Sequence, residues 1–222
     1  MKRIRVLACC MAATAAAIAV TASSAAALPQ FWQGGSPIGA EAKKGFIALI
    51  GSATLKTSST HKILCTEGIS SGETNGPNEV TNFGWWFVGC KETISGASCH
   101  STNPLGSEGE IVTFALKGPL GYLRTTAPVK VGLLLNTGEG AITKIQCGTL
   151  TGEVKKSVIG EARPINVQQT GWELVFNEAG GNQEWTKFAG ETATHRLEAF
   201  AEPAVLVTTF TGWWSEELEI RG

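Results

Sequence analysis

The chain has 222 residues, with 18 Lys and Arg against 19 acidic residues and no run of basic ones. A nucleic-acid partner would need a basic patch or stripe, so that class is excluded. Every acid is Glu; the absence of Asp removes D-x-[DN]-x-[DN]-G calcium loops, a Ser-His-Asp triad as written, and an aspartic dyad.

The chain opens with Lys2, Arg3 and Arg5, followed by an Ala/Val/Ile-rich run as far as Val20 and small residues over Ala22–Ala27. Ala25-Ala26-Ala27 before Leu28-Pro29 completes the three-part pattern of a cleavable secretory leader over residues 1–27. A membrane anchor would need about 20 continuous apolar residues, and Thr14 and Thr21 interrupt this run. Cys9 and Cys10 precede the apolar core, so lipidation is not expected. Cleavage removes three of the 18 basic residues, leaving 15 against 19 acids, a net of −4. No second run is long enough for a membrane-spanning helix, and the expected address is the cell exterior.

Cys65, Cys90, Cys99 and Cys147 follow the leader, and an even count in an exported chain argues for disulfides. The expected pairing is Cys90–Cys99, closing a local hairpin, with Cys65–Cys147 tying early strands to the end of the central block. No C-x-x-C pair is present and the histidines do not bracket the cysteines, so no zinc site is expected.

Residues 28–44 mix Pro, Gly and polar residues and read as an extended arm with an aromatic foothold at Phe31-Trp32. Phe46–Thr57 and His61–Thr66 are predicted strands, and the Ser/Gly/Asn-rich Gly68–Asn78 a loop. Glu79–Cys90 contains Phe83, Trp85, Trp86 and Phe87 and reads as a buried strand entering a hairpin. In Glu110–Lys117, Val112, Phe114 and Leu116 share one face; in Pro128–Asn136, Val129, Val131, Leu133 and Leu135 do. Asn136–Gly140 is a predicted hairpin loop, with Ala141–Cys147 returning and Thr149–Ile159 following. Beyond a break at 161–170, strands are predicted at Trp172–Phe176, Gln183–Phe188, His195–Ala201, Val205–Thr211 and Glu217–Arg221. No helical periodicity appears after the leader. The fold class is all-β: an antiparallel sandwich or barrel of short strands in one domain over 45–222, with a possible subdomain break at 161–170.

Gly89-Cys90, Cys99, Gly109–Thr113, Leu116–Tyr122, Val131–Leu135 and Gln146-Cys147-Gly148 together form a pattern over roughly residues 60–165. It resembles uncharacterised secreted proteins of soil actinobacteria. The resemblance implies an exported β-rich domain and, since those proteins carry no assigned activity, it transfers no functional residues.

Tryptophan is the residue type most suggestive of binding, because exposed indoles form flat apolar platforms that stack on sugar rings. Strand geometry sends the members of Trp85-Trp86 and of Trp213-Trp214 to opposite faces, so one of each pair can fill the core while the other points outward. These four are the candidate binding residues, with Trp86 and Trp214 the first targets for mutation. Glu110 and Glu173 are the carboxylates to inspect for a glycosidase pair. His61, His100 and His195 are scattered, and no nucleophile elbow, phosphate loop, cofactor motif or metal spacing accompanies them. The reading is an exported, disulfide-stabilised domain with a non-catalytic binding or structural role, its partner a cell-surface glycan or protein. The alternative is a secreted carbohydrate-binding module or small glycoside hydrolase using exposed Trp and paired Glu.

Overall fold

The computed structural model describes residues 28–58 and 60–222. The leader expected at 1–27 lies outside the described residues. Among the described residues all regular elements are strands. In chain order they are β1 (Gln30–Gln33), β2 (Ser36–Pro37), β3 (Gly45–Ile50), β4 (Ala53–Thr57), β5 (Lys62–Cys65) and β6 (Glu67–Asn75). There follow β7 (Glu79–Val88), β8 (Lys91–Glu92), β9 (Cys99–Asn103), β10 (Ile111–Val112), β11 (Leu116–Arg124) and β12 (Lys130–Cys147). The last six are β13 (Leu150–Arg163), β14 (Gln169–Phe176), β15 (Glu178–Ala179), β16 (Asn182–Gln183), β17 (Leu197–Ala199) and β18 (Glu202–Arg221).

Pairing is antiparallel and closes on itself. β14-β13-β12-β11-β7-β6-β3-β18 forms a ring, completed where β18 returns to β14. A second ring shares the long strands: β9, the distal half of β12, the first half of β13, β17, the first half of β18, β4, β5 and β8. The Lys91–Ser98 bridge and the bond from Cys99 N–H to the Cys90 carbonyl close it. The expected antiparallel all-β fold therefore takes a closed, barrel-like form. One buried cluster runs through both rings, from Phe31 and Trp214 at one end to Ile63 and Leu197 at the other.

Two long strands replace predicted pairs of short ones. Asn136–Gly140 is a bulge inside β12: Asn136 pairs with Ser157 and Ala141 with Lys155, so four residues face Lys156 alone. Gly138 and Gly140 take positive φ there, as does Lys156 opposite them. The extra residues bend the strand and carry it into the second ring. The turn expected at Asn136–Gly140 forms at Gly148-Thr149. Val205–Thr211 and Glu217–Arg221 likewise belong to the single strand β18, whose register to β14 slips between Gly171 and Gln169.

Gly68–Asn78, expected as a loop, is largely the strand β6. A Cβ on Gly68 would lie 2.5 Å from the Trp86 carbonyl oxygen, and one on Gly72 2.6 Å from the Phe46 ring. These glycines admit close packing of large neighbours, and the loop composition has that cause. In β7, Asn82 has φ of 54° and sits beside a register shift to β6, which lets both Val80 and Phe83 face inward. The alternation of Val112, Phe114 and Leu116 on one face also fails. Ile111 and Thr113 turn inward, Phe114 outward, and Leu116 inward again where β11 begins.

The cysteines pair as Cys65–Cys90 and Cys99–Cys147, which corrects the expected Cys90–Cys99 and Cys65–Cys147. The hairpin between Cys90 and Cys99 exists, but a backbone hydrogen bond holds it. Cys99 and Cys147 are direct partners across β9 and β12. Cys65 meets Cys90 where β5 and β8 run side by side. The bridges cross-link β5 to the residue before β8, and β9 to β12, neighbouring strands on one side of the second ring.

The N-terminal arm is tied down. β1 pairs with the end of β18, Phe31 enters the core against Trp214, and Trp32 stacks under the Arg221 guanidinium at 3.7 Å.

Residues 184–196, expected to hold strand at Gln183–Phe188, instead form a strap across the outside of β11, β12 and β13. Phe188 and Trp185 cover Leu123, Leu134 and Ile159. Gly121 leaves the space that the Phe188 ring fills, since a Cβ there would come within 2.5 Å of it. Lys130 reaches over Trp185 and bonds Glu161 at 2.8 Å. His195 closes the strap, with Nδ1 3.4 Å from the Ser157 hydroxyl and Nε2 3.3 Å from Glu191.

Candidate functional site

The two tryptophan pairs do split between core and surface, as strand geometry requires. Trp85 is 4% exposed and Trp86 45%; in the second pair Trp213 is 43% exposed and Trp214 8%. The order is opposite in the two pairs, so Trp214, expected outside, is a core residue and Trp213 takes the surface. Gly212 is the cause. It faces inward against Trp172, where a Cβ would lie 2.2 Å from the indole, and its neighbour Trp213 must face out. Gly84, in the similar Phe83-Gly84-Trp85-Trp86, faces outward with open space above it. The resemblance of the two tetrapeptides is therefore not structural.

Trp85 and Trp214 belong to an aromatic core with Phe46, Phe83, Trp172 and Phe210. Phe46 lies edge-on to Trp214 at 5.1 Å and to Trp172 at 5.3 Å, and Trp85 contacts Phe210 at 5.1 Å. Edge-to-face pairs of this kind add about 0.5–1.5 kcal/mol each beyond area burial.

Trp86 and Trp213 share an outer face with residues the composition did not single out. One cross-strand row runs Thr211, Leu49, Ile69, Trp86, Val112 over β18, β3, β6, β7 and β10. The adjacent row runs Gly171, Trp213, Ile47, Ser71, Gly84. Ile47, Leu49 and Ile69 are all exposed. A signal for them was present: in Gly45–Ile50 both alternating faces are apolar, the mark of a strand with two faces to cover.

In the ring order this face, centred on β3, stands opposite the face centred on β12. The β12 face is apolar too, and the strap buries it. Among the described residues nothing covers the β3 face.

Beside Trp213 a cavity of about 370 Å³ opens, lined by Arg163, Gln169, Glu173 and Thr211. Glu173 continues the first row past Thr211 and pairs across strands with Arg163. The Arg163 guanidinium is hydrogen-bonded to Glu161 at 2.9 Å. Burial pushes the Glu161 pKa up, but the bonds from Arg163 and Lys130 outweigh it and hold the carboxyl below its ordinary value. On the far side, Glu73 is lowered by hydrogen bonds from Lys43 and Asn82.

Glu110 does not meet Glu173. It caps the turn at Ser107, accepting its N–H at 3.1 Å, and precedes β10, five strand positions from β14. A glycosidase pair must stand about 5–10 Å apart. The histidines also stay separate: His61 packs on Phe200, His100 pairs with Gln146, and His195 pins the strap. Among the described residues no group of three or more His, Cys or Glu is arranged to hold a metal ion, and no helix is long and apolar enough to cross a membrane.

Other concavities have different character. A cavity of about 50 Å³ with a mostly apolar lining lies among Ile63, Trp85, Phe87 and Ile142. A polar cleft of about 480 Å³ lies beside Lys56, Glu178 and Arg196.

Comparison with protein-family models, curated proteins and solved structures finds no match to this chain.

Proposed function

We propose that the protein is an exported, non-catalytic binding domain whose contact surface is the outside of β18, β3, β6 and β7. Export is supported by the leader-like N-terminus and by two disulfides, which persist in oxidising surroundings. The observation that carries the binding role is the asymmetry of the outer surface. The strap seals the apolar β12 face, while among the described residues nothing covers the opposite one, which carries two exposed indoles. The band is small, but two exposed indoles, apolar platforms with a polar N–H, on one otherwise apolar face are the feature that suits a contact surface.

Co-sedimentation of the mature protein with purified cell-wall material tests the reading. The wild type is expected in the pellet and Trp86→Ser/Trp213→Ser in the supernatant. Equal partition of the two proteins overturns it. Acrylamide should quench the two outer indoles in the free protein and lose access to them in the pellet.

A further inference from the structure

Resting on that binding face, we infer that its ligand is a linear, uncharged glycan chain lying across the strands from Trp86 to Trp213, with one sugar ring seated beside Trp213. The shape of the apolar surface is the first reason. Trp86 and Trp213 are separated by three strand spacings of about 4.8 Å and one two-residue step of about 6.8 Å, or about 16 Å along the surface. The apolar residues between them, Ile47, Leu49 and Ile69, fill a band two rows wide. In projection it covers on the order of 200 Å², well below the ~800 Å² per partner of an ordinary protein interface. A narrow band with an indole near each end fits a chain of pyranose rings. Their C–H faces carry the partial positive charge that an aromatic face attracts.

The floor is the second reason. Gly171 and Gly84 end the row that contains Trp213, and Gly45 stands in the next row. A Cβ at any of the three would meet nothing within 4 Å. No packing demand explains them, unlike Gly68, Gly72 or Gly212; Gly84 is interior to β7, while Gly45 opens β3 and Gly171 borders the register slip of β14. Glycine inside a strand with open space above it lets a ligand approach the backbone closely. The 370 Å³ cavity then offers one ring an indole wall with the Glu173 carboxylate, the Gln169 amide and the Thr211 hydroxyl around it. Apolar walls with a few placed polar groups are the usual make-up of a small-ligand site.

Charge sets the class. Among the described residues Glu67 and Glu173 are exposed on this face with no hydrogen bond to their carboxylates; Arg163, held by Glu161, also feels the Glu173 charge across the strands, and Lys43 is engaged by Glu73. Both cations at the margins, Arg163 and Lys43, already have carboxylate partners, which disfavours an anionic polymer.

Native affinity electrophoresis of the mature protein decides it. Gels would contain hydroxyethyl cellulose, glucomannan or xylan, against carboxymethyl cellulose and polygalacturonate. At least one neutral polymer should retard the wild type, with apparent affinity falling about tenfold in Trp86→Ala and in Trp213→Ala. The anionic polymers should not retard it until Glu67→Gln/Glu173→Gln removes the charges. Retardation of the wild type by anionic and neutral polymers alike overturns the charge argument. No retardation by any polymer, with a dimer in solution that Trp213→Ala dissociates, overturns the glycan and leaves the binding face standing with a second copy on it. No retardation and no self-association overturns the glycan, and the co-sedimentation result then decides the face by itself.

Discussion

Gly212 and Trp172 lie face to face across β18 and β14, so close that a methyl group on Gly212 would stand 2.2 Å from the indole. This contact fixes which residues of Thr211–Trp214 enter the core. Gly212→Ala should destabilise the protein by about 1–3 kcal/mol through overpacking, read as a lower urea midpoint. Gly84→Ala, with open space above the position, is expected to change stability far less, limited to the loss of glycine's flexibility and any effect on binding.

The two outer and two inner tryptophans should separate cleanly by assay. Trp86→Ala and Trp213→Ala are expected to change unfolding free energy by about 0.5 kcal/mol or less each, as surface substitutions do. Trp85→Ala and Trp214→Ala empty well-packed core volume and should cost about 3–5 kcal/mol. Denaturant melts of the four variants check this. A large stability loss at Trp213 would show that it is packed, and would remove it as a contact residue.

Loop length ranks the disulfides. The bridges close 25 and 48 residues, so chain entropy assigns about 3.5 kcal/mol to Cys65–Cys90 and about 4 kcal/mol to Cys99–Cys147. Paired Cys→Ala variants measured by thermal unfolding should lose about 2–4 °C per kcal/mol in a domain of this size. Mass mapping of the oxidised protein should yield Cys65 joined to Cys90, and never Cys90 joined to Cys99.

Glu92 provides an acid-sensitive lock on the turn that follows β8. Its carboxylate accepts the Ser95 N–H at 2.6 Å, the Ser95 hydroxyl at 2.7 Å and the Ile94 N–H at 3.1 Å, and these bonds hold its pKa at about 2. A carboxyl with a lowered folded-state pKa binds its proton more readily when unfolded. Its contribution is therefore complete above the ordinary value of 4.5 and is lost as pH falls towards 2. Unfolding curves at pH 6 and pH 2 should show a smaller pH difference in Glu92→Gln than in the wild type.

The strap should be the weakest link of the covered face. Phe188→Ala uncovers Leu134 and Ile159 and removes a buried ring, with an expected loss of about 3–5 kcal/mol and new binding of a hydrophobic dye. Dye binding unchanged from the wild type would show that another segment covers that face.

Several of these features were legible in the residues themselves. Period-2 alternation and the absence of helical spacing determine an all-β chain, because a strand's side chains must alternate between faces. The adjacent tryptophans had to divide between core and surface for the same reason. Tertiary packing decided everything that depends on which strand lies beside which. Whether Trp213 or Trp214 faces out depends on Gly212 meeting Trp172, forty residues earlier in the chain. Asn136–Gly140 has the composition of a hairpin turn, but β13 continues alongside it, and the glycines become a bulge. Gly68 and Gly72 look like loop residues until Phe46 and Trp86 are seen to occupy the space a side chain would need. The cysteine partners were settled by register, which places Cys99 opposite Cys147. The bare face is the clearest case, since Ile47, Leu49, Ile69, Trp86 and Trp213 lie far apart in sequence. They become one surface because antiparallel register aligns their strands, and no local pattern encodes that alignment.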